Sequence, residues 1–316
     1  MQTHLRREVG LAFAAAAVLG AAPAMASGFE GPGYFPNVPL TTQDGKVVRF
    51  YDDLLKNKSV VVNLIYTRCT ASCPLETAKL TQVQKILGDR VGKDIFFYSI
   101  SIDPKHDTPE ALNAYAARFH VQPGWLFLTG KEEDIKLISK KLGLASLTDA
   151  ANRDGHQPTL MIGRDATGQW MRNSAVDNPR FLATTILHFV DGYKSAAPGR
   201  SYAAMGALHD VGKGEYLFKS RCAACHTVGR GDAVGPDLLA VATKRDRAWL
   251  SRYIATPDQV LADGDPIAKA LFAKYRNVRM PNLAMSTEET EAVLAYIERQ
   301  SKVAANTAAP GSLLAR

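Results

Sequence analysis

Between Val38 and Val190 the apolar positions switch repeatedly between two periods. Val38 to Leu40 and Lys46 to Phe50 flank an Asp44-Gly45 turn and predict a hairpin. Ser59 to Ile65 is a continuous β-branched run, the signature of a strand buried on both faces. Leu80, Val83, Ile86 and Leu87 then recur at helical spacing within 75–87, and a second buried strand is predicted at Ile95 to Ile102. Thr108 to Phe119 predicts a helix with Pro109 in its first turn, Trp125 to Leu128 a short strand, and Glu132 to Leu142 a helix. Thr159 to Arg164 and Gln169 to Asn173 predict a closing hairpin, and 179–193 a final helix. Alternating units of this kind predict an α/β sandwich.

The pattern breaks at Ser195-Ala196-Ala197-Pro198-Gly199, which reads as a linker. Beyond it the periodicity is helical only: Gly214 to Arg221, Asp246 to Ala255 and Thr287 to Gln300. Ser286 followed by Glu289 marks a capping box at the start of the last helix, whose apolar face is Val293, Leu294 and Ile297. After Lys302 the chain turns rich in Ala, Gly, Ser and Pro and is expected to be disordered. The expected organisation is therefore an α/β unit over 27–193, a linker over 194–209, an all-α unit over 210–302 and a tail over 303–316.

Residues 1–26 have a separate character. Arg6 and Arg7 precede the apolar run Leu11 to Leu19, and Ala24-Met25-Ala26 precedes Ser27, the layout of a cleaved secretory signal peptide. The run is shorter than the ~20 residues that span a bilayer, so no membrane span is expected after cleavage. The formal charge of the 316-residue chain is +7, and loss of Arg6, Arg7 and Glu8 leaves +6. Lys and Arg are scattered, which argues against a nucleic-acid partner. Export to a bacterial periplasm is the expected localisation.

In that setting the four cysteines stand out, because they form two local pairs, Cys69 with Cys73 and Cys222 with Cys225. A structural framework usually closes longer loops. Cys222-Ala223-Ala224-Cys225-His226 carries two thiols at the spacing that adds to the two haem vinyl groups, with an imidazole following as axial ligand. Gly214-Glu215-x-x-Phe218, Gly235-Pro236-Asp237-Leu238 and Met280-Pro281-Asn282-Leu283 complete a pattern, over about 210–300, that resembles the small His/Met-ligated c-type cytochromes. The resemblance implies one covalent haem c on Cys222 and Cys225, axial ligands His226 and Met280, and a Pro236 carbonyl that holds the other His226 ring nitrogen. Met285 is the rival sixth ligand.

Tyr66-Thr67-Arg68-Cys69-Thr70-Ala71-Ser72-Cys73-Pro74 lies between a buried strand and the helix that Pro74 opens. Both thiols are expected at a helix N-terminus, where amides and dipole favour thiolate. Soft thiolates suit Cu(I), and an imidazole completes a site that tolerates Cu(II) as well. His156, just before the strand at 159–164, is the candidate.

This region resembles the Sco/SenC family of thioredoxin-like copper chaperones for cytochrome oxidase. Residues 62–74 carry its strand and Cys-x-x-x-Cys-Pro, Ser101 to Pro109 its second motif and Trp125 to Gly130 a third, across about 34–192. The resemblance implies Cys69, Cys73 and His156 as ligands of one copper ion, with Asp103 either close to the cysteines or capping its own turn. The histidine departs from the family pattern: Gly155 separates Asp154 from His156, and Gln157-Pro158-Thr159-Leu160 is similar to the cis-proline step of thioredoxins.

The expected fold is thus a thioredoxin-like α/β domain followed by an all-α cytochrome c domain. The expected function is copper binding and single-electron transfer in the service of oxidase copper-site assembly. The expected partner is the copper-bearing subunit of a cytochrome oxidase or another periplasmic redox protein. A metallochaperone or electron carrier fits better than a catalyst. The alternative is a thiol–disulfide oxidoreductase using Cys69 and Cys73, with the haem as electron acceptor.

Overall fold

The computed structural model describes residues 33–144, 158–192 and 211–308. The first two segments build one seven-stranded sheet: β1 (Pro39–Thr42), β2 (Val47–Arg49), β3 (Ser59–Ile65), β4 (Ile95–Ser101), β5 (Trp125–Thr129), β6 (Thr159–Arg164) and β7 (Gln169–Ser174). Their order across the sheet is β2-β1-β5-β4-β3-β6-β7. The central β3, β4 and β5 are parallel, while the outer pairs are antiparallel hairpins. The expected signal peptide, the expected linker and His156 lie outside the described residues.

β3 shows how sequence becomes layers. Side chains alternate across a strand, so Val61 and Ile65 join a core with α1 (Cys73–Leu87), α2 (Pro109–Arg118) and α4 (Pro179–Asp191). Val60, Val62 and Leu64 join the opposite core, with a wide helical turn at Phe50–Leu55 and α3 (Glu132–Lys141). Asn63 falls on the α1 side and is buried, in register with Ser99 of β4. Its amide donates to Glu76 of α1 (3.2 Å), and it accepts from the Ser99 hydroxyl (2.7 Å). The indole of Trp125 also donates to Ser99 (2.9 Å). This polar chain, a requirement of burying amide and carboxyl together, ties β3, β4, β5 and α1 beneath the first cysteine pair.

The last segment is helical: α5 (Lys213–Leu217) runs into a wider turn at Phe218–Cys222, followed by α6 (Val241–Lys244), α7 (Arg247–Ala255), α8 (Pro257–Ala262), α9 (Pro266–Lys274) and α10 (Thr287–Ala308). α5 and α10 cross closely. A Cβ on Gly214 would lie 2.0 Å from the Ala292 carbonyl oxygen, so only glycine permits the approach. The Phe218 and Tyr296 rings meet at 5.2 Å beside it. The capping box is formed as expected: the Glu289 amide donates to the Ser286 hydroxyl (3.2 Å), and the Ser286 amide to the Glu289 carboxylate (3.0 Å).

One expectation is corrected, and three short helices are added to those the sequence predicts. The final helix does not end near Lys302 but continues to Ala308, because Ala304, Ala305 and Ala308 favour helix and the segment meets no proline before Pro310. α6, α8 and α9 carry too few periodic residues to be seen as helices in sequence. Asp265 nevertheless caps α9 by accepting from the Ala268 amide (2.9 Å). Among the described residues no helix is long and apolar enough to cross a membrane.

Candidate functional site

The Cys69–Cys73 loop leaves the end of β3 and enters α1. Its start is anchored by Asp107, fully buried, which accepts from the Thr67 amide (3.1 Å), the Thr67 hydroxyl (2.5 Å) and the Ser101 hydroxyl (2.5 Å). Asp103 is also buried. It pairs with Arg68 (3.3 Å), the residue before Cys69, and with His106 (2.9 Å). Asp107 was missed in the sequence because a carboxylate in a Pro-flanked loop gives no sign of which way it will be buried.

The two thiols differ. Cys69 accepts hydrogen bonds from the Cys73 thiol, the backbone amides of Cys73 and Ala71, and Tyr66. The Cys73 thiol contributes most, and together these donors outweigh burial and bring Cys69 down to about 6. Cys73 is pushed well up, first by burial, then by donating to Cys69 and by the Glu76 carboxyl nearby. The expectation that the helix N-terminus favours thiolate at both positions is therefore corrected. Two thiols in contact at 2% and 0% exposure share one proton, and the less buried one gives it up.

His156, the third proposed ligand, lies outside the described residues, as does Gln157 of the expected cis step. Among the described residues no group of three His, Cys, Asp or Glu side chains is set to hold a metal. His106 is held by Asp103 and Arg68, and His120 contacts Arg276 of the helical unit (2.9 Å).

The second pair opens on a cavity of about 500 Å³, within the ~300–1,000 Å³ range of cofactor pockets. Cys222, Cys225, His226 and Met280 all line it. Burial holds both thiols up at about 12 and lowers His226, keeping the imidazole neutral and able to ligate. His226 Nδ1 lies 2.9 Å from the Pro236 carbonyl oxygen, the contact the resemblance implied. A Cβ on Gly235 would fall 2.6 Å from the imidazole ring, so glycine is required for the ring to turn that way. Met285 also lines the cavity but is buried in the core with Phe218 and Tyr296, whereas Met280 is only half-buried. Lys244, Arg245 and Lys274 line it too and suit the two carboxylates of a haem. The donor set, the glycine cradle and the cavity thus fit haem c.

Asp237 fixes the loop that carries Pro236. Burial pushes its carboxyl up, but donation from the Gly229, Leu239 and Gly231 amides and from the Thr227 hydroxyl prevails and lowers it from 3.8 to about 2. A depressed folded value stabilises the fold fully above the unfolded pKa, and that stabilisation fades as pH falls from 3.8 toward about 2. An acid titration of the haem-loaded protein, read by the haem absorption spectrum, is expected to show the His226 environment loosening across that window. Asp237→Asn is expected to remove this acid step. Identical acid transitions in the two proteins would refute the role.

The two sites touch. The Asn282 amide donates to the carbonyl of Thr70, inside the Cys69–Cys73 loop (2.8 Å), and Gln82 of α1 donates to the Ala224 carbonyl (3.4 Å). Ala224, Cys225 and Val278 pack against the core that contains Cys69 and Cys73. Nothing in the sequence signals these contacts.

A thioredoxin-like sheet bearing Cys-x-x-x-Cys at the head of a helix, joined to a helical unit with a Cys-x-x-Cys-His pocket, defines a two-centre redox or metal-handling protein. The SCO1/SenC family profile matches residues 36–166, and the cytochrome c profile matches residues 211–301. The SCO2-like protein of Rickettsia felis is 31% identical over 160 residues, covering 48% of this chain and 73% of that protein. That of Rickettsia conorii is 31% identical over 44% of this chain and 68% of its own length. Among solved structures, a SCO1/SenC family lipoprotein from Bacillus anthracis aligns at 27% identity and a TM-score of 0.43, over 49% of this chain and 93% of its own. The copper-bound ScoI of Arabidopsis thaliana aligns at 23% identity and a TM-score of 0.42, over 52% and 99%. The chain belongs to the SCO1/SenC family and carries a cytochrome c domain in addition.

Proposed function

We propose that this chain is a periplasmic copper-binding and electron-transfer protein, in which Cys69, Cys73 and His156 hold one copper ion as cargo and Cys222 and Cys225 bind one haem c covalently. The client is the copper-bearing subunit of a cytochrome oxidase, and residues 1–26 direct export. The units are 27–193 for copper and 210–302 for haem, joined through 194–209. Haem c supplies a one-electron couple, the same stoichiometry as Cu(I)/Cu(II). His226, oriented by Pro236 and Gly235, and Met280 would hold the haem iron.

The observation that carries this reading is the Thr70–Asn282 contact, since it seats the Met280 loop on the copper loop. The test is to add Cu(I) to copper-free protein with oxidised haem. The spectrum is expected to change to that of reduced haem at a rate independent of protein concentration, and Cys69→Ser or Cys73→Ser is expected to abolish that phase. A copper-loaded protein whose haem spectrum responds to neither copper oxidation state would defeat the relay.

Met280→Ala is expected to remove the sulfur-to-iron charge-transfer band of the oxidised haem and lower its potential. Met285→Ala is expected to leave both nearly unchanged, because Met285 belongs to the core. The reverse result would move the ligand to Met285.

The thiolate character of Cys69, with Cys73 as its proton donor, favours a second reading: dithiol–disulfide exchange with a client. Dithiol couples of this fold lie at roughly −120 to −270 mV, and Met ligation raises a haem potential, so the two electrons released as the disulfide closes would run from the dithiol to haem, one to the haem of the same chain and one to the haem of a second chain. Haem reduction by the copper-free dithiol at a comparable rate would favour that reading over the copper relay.

A further inference from the structure

A second cavity, of about 280 Å³, lies where the two units meet. The sheet unit contributes Arg68, Cys69 and Arg118 to its lining, and the helical unit contributes Asn277 and Arg279. Three arginine residues therefore line one small cleft, and none of its lining residues is acidic.

Their charges are unevenly matched. Arg68 is paired with Asp103, although its side chain remains 57% exposed. Arg279 lies over the Phe272 ring at 5.4 Å, a contact that leaves its positive charge uncancelled. Arg118 makes no hydrogen bond or ion pair among the described residues. Like charges brought together from two units repel unless a counter-charge sits between them. Guanidinium groups offer several planar donors suited to oxyanion oxygens, and the Asn277 amide can add a neutral one.

We propose that this cleft binds a phosphate-class oxyanion, free or as a small monoester, through Arg118 and Arg279 with support from Arg68, and that the anion clamps the helical unit over Cys69. The clamped segment, 277–279, leads directly into Met280 and the Asn282 amide that is bonded to Thr70. An occupied cleft therefore closes the approach to the Cys69–Cys73 loop from this side, and an empty one lets the units part. The inference rests on the cleft alone and stands whether or not copper binds.

The test uses the reduced, haem-loaded, copper-free full-length protein, titrated calorimetrically with inorganic phosphate while iodoacetamide alkylation of Cys69 is followed by peptide mapping. One phosphate per chain is expected to bind and to slow alkylation by about tenfold or more. Arg118→Gln and Arg279→Gln are each expected to weaken binding by about tenfold or more, the loss of one hydrogen bond to a charged group. Arg180→Gln, on an exposed helix start in the sheet unit, is expected to change neither readout. Glycerol phosphate binding as tightly as the free ion would identify a monoester site, and weaker binding a site for the free ion. The proposal fails if phosphate binding does not saturate, or if chloride at equal ionic strength protects Cys69 as well. It also fails if Arg279→Gln binds like the unaltered chain, because the site would then not bridge the two units.

Discussion

Cys222→Ser protein is expected to emerge without doubly linked haem c, while its sheet unit remains folded. The two outcomes separate because each unit has a buried cluster of its own, although residues of the helical unit such as Ala224, Cys225 and Val278 also pack against the sheet unit. The α/β unit is held by two large clusters on either face of β3, β4 and β5, and the helical unit by a small cluster around Leu217, Phe218, Val293, Tyr296 and Ile297. That small core surrounds a cavity of about 500 Å³, so without its attached group it lacks the atoms that fill a native interior. Far-ultraviolet dichroism and limited proteolysis of the variant are expected to show loss confined to residues beyond 210. Mass spectrometry showing haem joined by two thioethers in the variant would sink the assignment of Cys222.

The second large effect is expected at the other pair. Cys69→Ser and Cys73→Ser should each lower Cu(I) affinity by more than the ~10–100-fold that loss of an outer-shell partner costs a metal site, as measured by competition with a chromogenic Cu(I) chelator. The copper-free protein adds a finer check. Cys73→Ser keeps a hydroxyl donor facing Cys69, whereas Cys73→Ala removes the hydrogen bond that contributes most to lowering Cys69. The pH at which Cys69 begins to react with iodoacetamide is therefore expected to rise from about 6 in Cys73→Ala and to move much less in Cys73→Ser. Unchanged Cu(I) affinity in both serine variants would remove the thiols from the copper site.

How much of this was legible in the chain depends on the range of the interaction involved. Where a strand is buried on both faces its run is apolar throughout, and β3 and β4 read true to within a residue. A cap and a periodic face located the start of α10, but nothing local marks where an Ala-rich helix gives out, and its end was misjudged. Asn63, buried inside β3, finds its partners Glu76 and Ser99 on other elements, which no local pattern foretells.

Chemistry that depends on neighbours in the chain was therefore determined by the sequence itself. That covers the thiol spacing of both cysteine pairs and the imidazole after Cys225. What only the tertiary structure decided depends on groups distant in sequence. It splits Cys69 from Cys73 by burial and a shared proton. It buries Asp107 beneath Thr67, and it places both Met280 and Met285 on the His226 cavity, Met285 as part of the core. It also brings Asn282 to Thr70 and Arg279 to Arg118, across more than 150 residues of chain. Hydrophobic period reports which face of an element is buried and is silent on what it is buried against, so the meeting of the two units left no trace in the sequence of either.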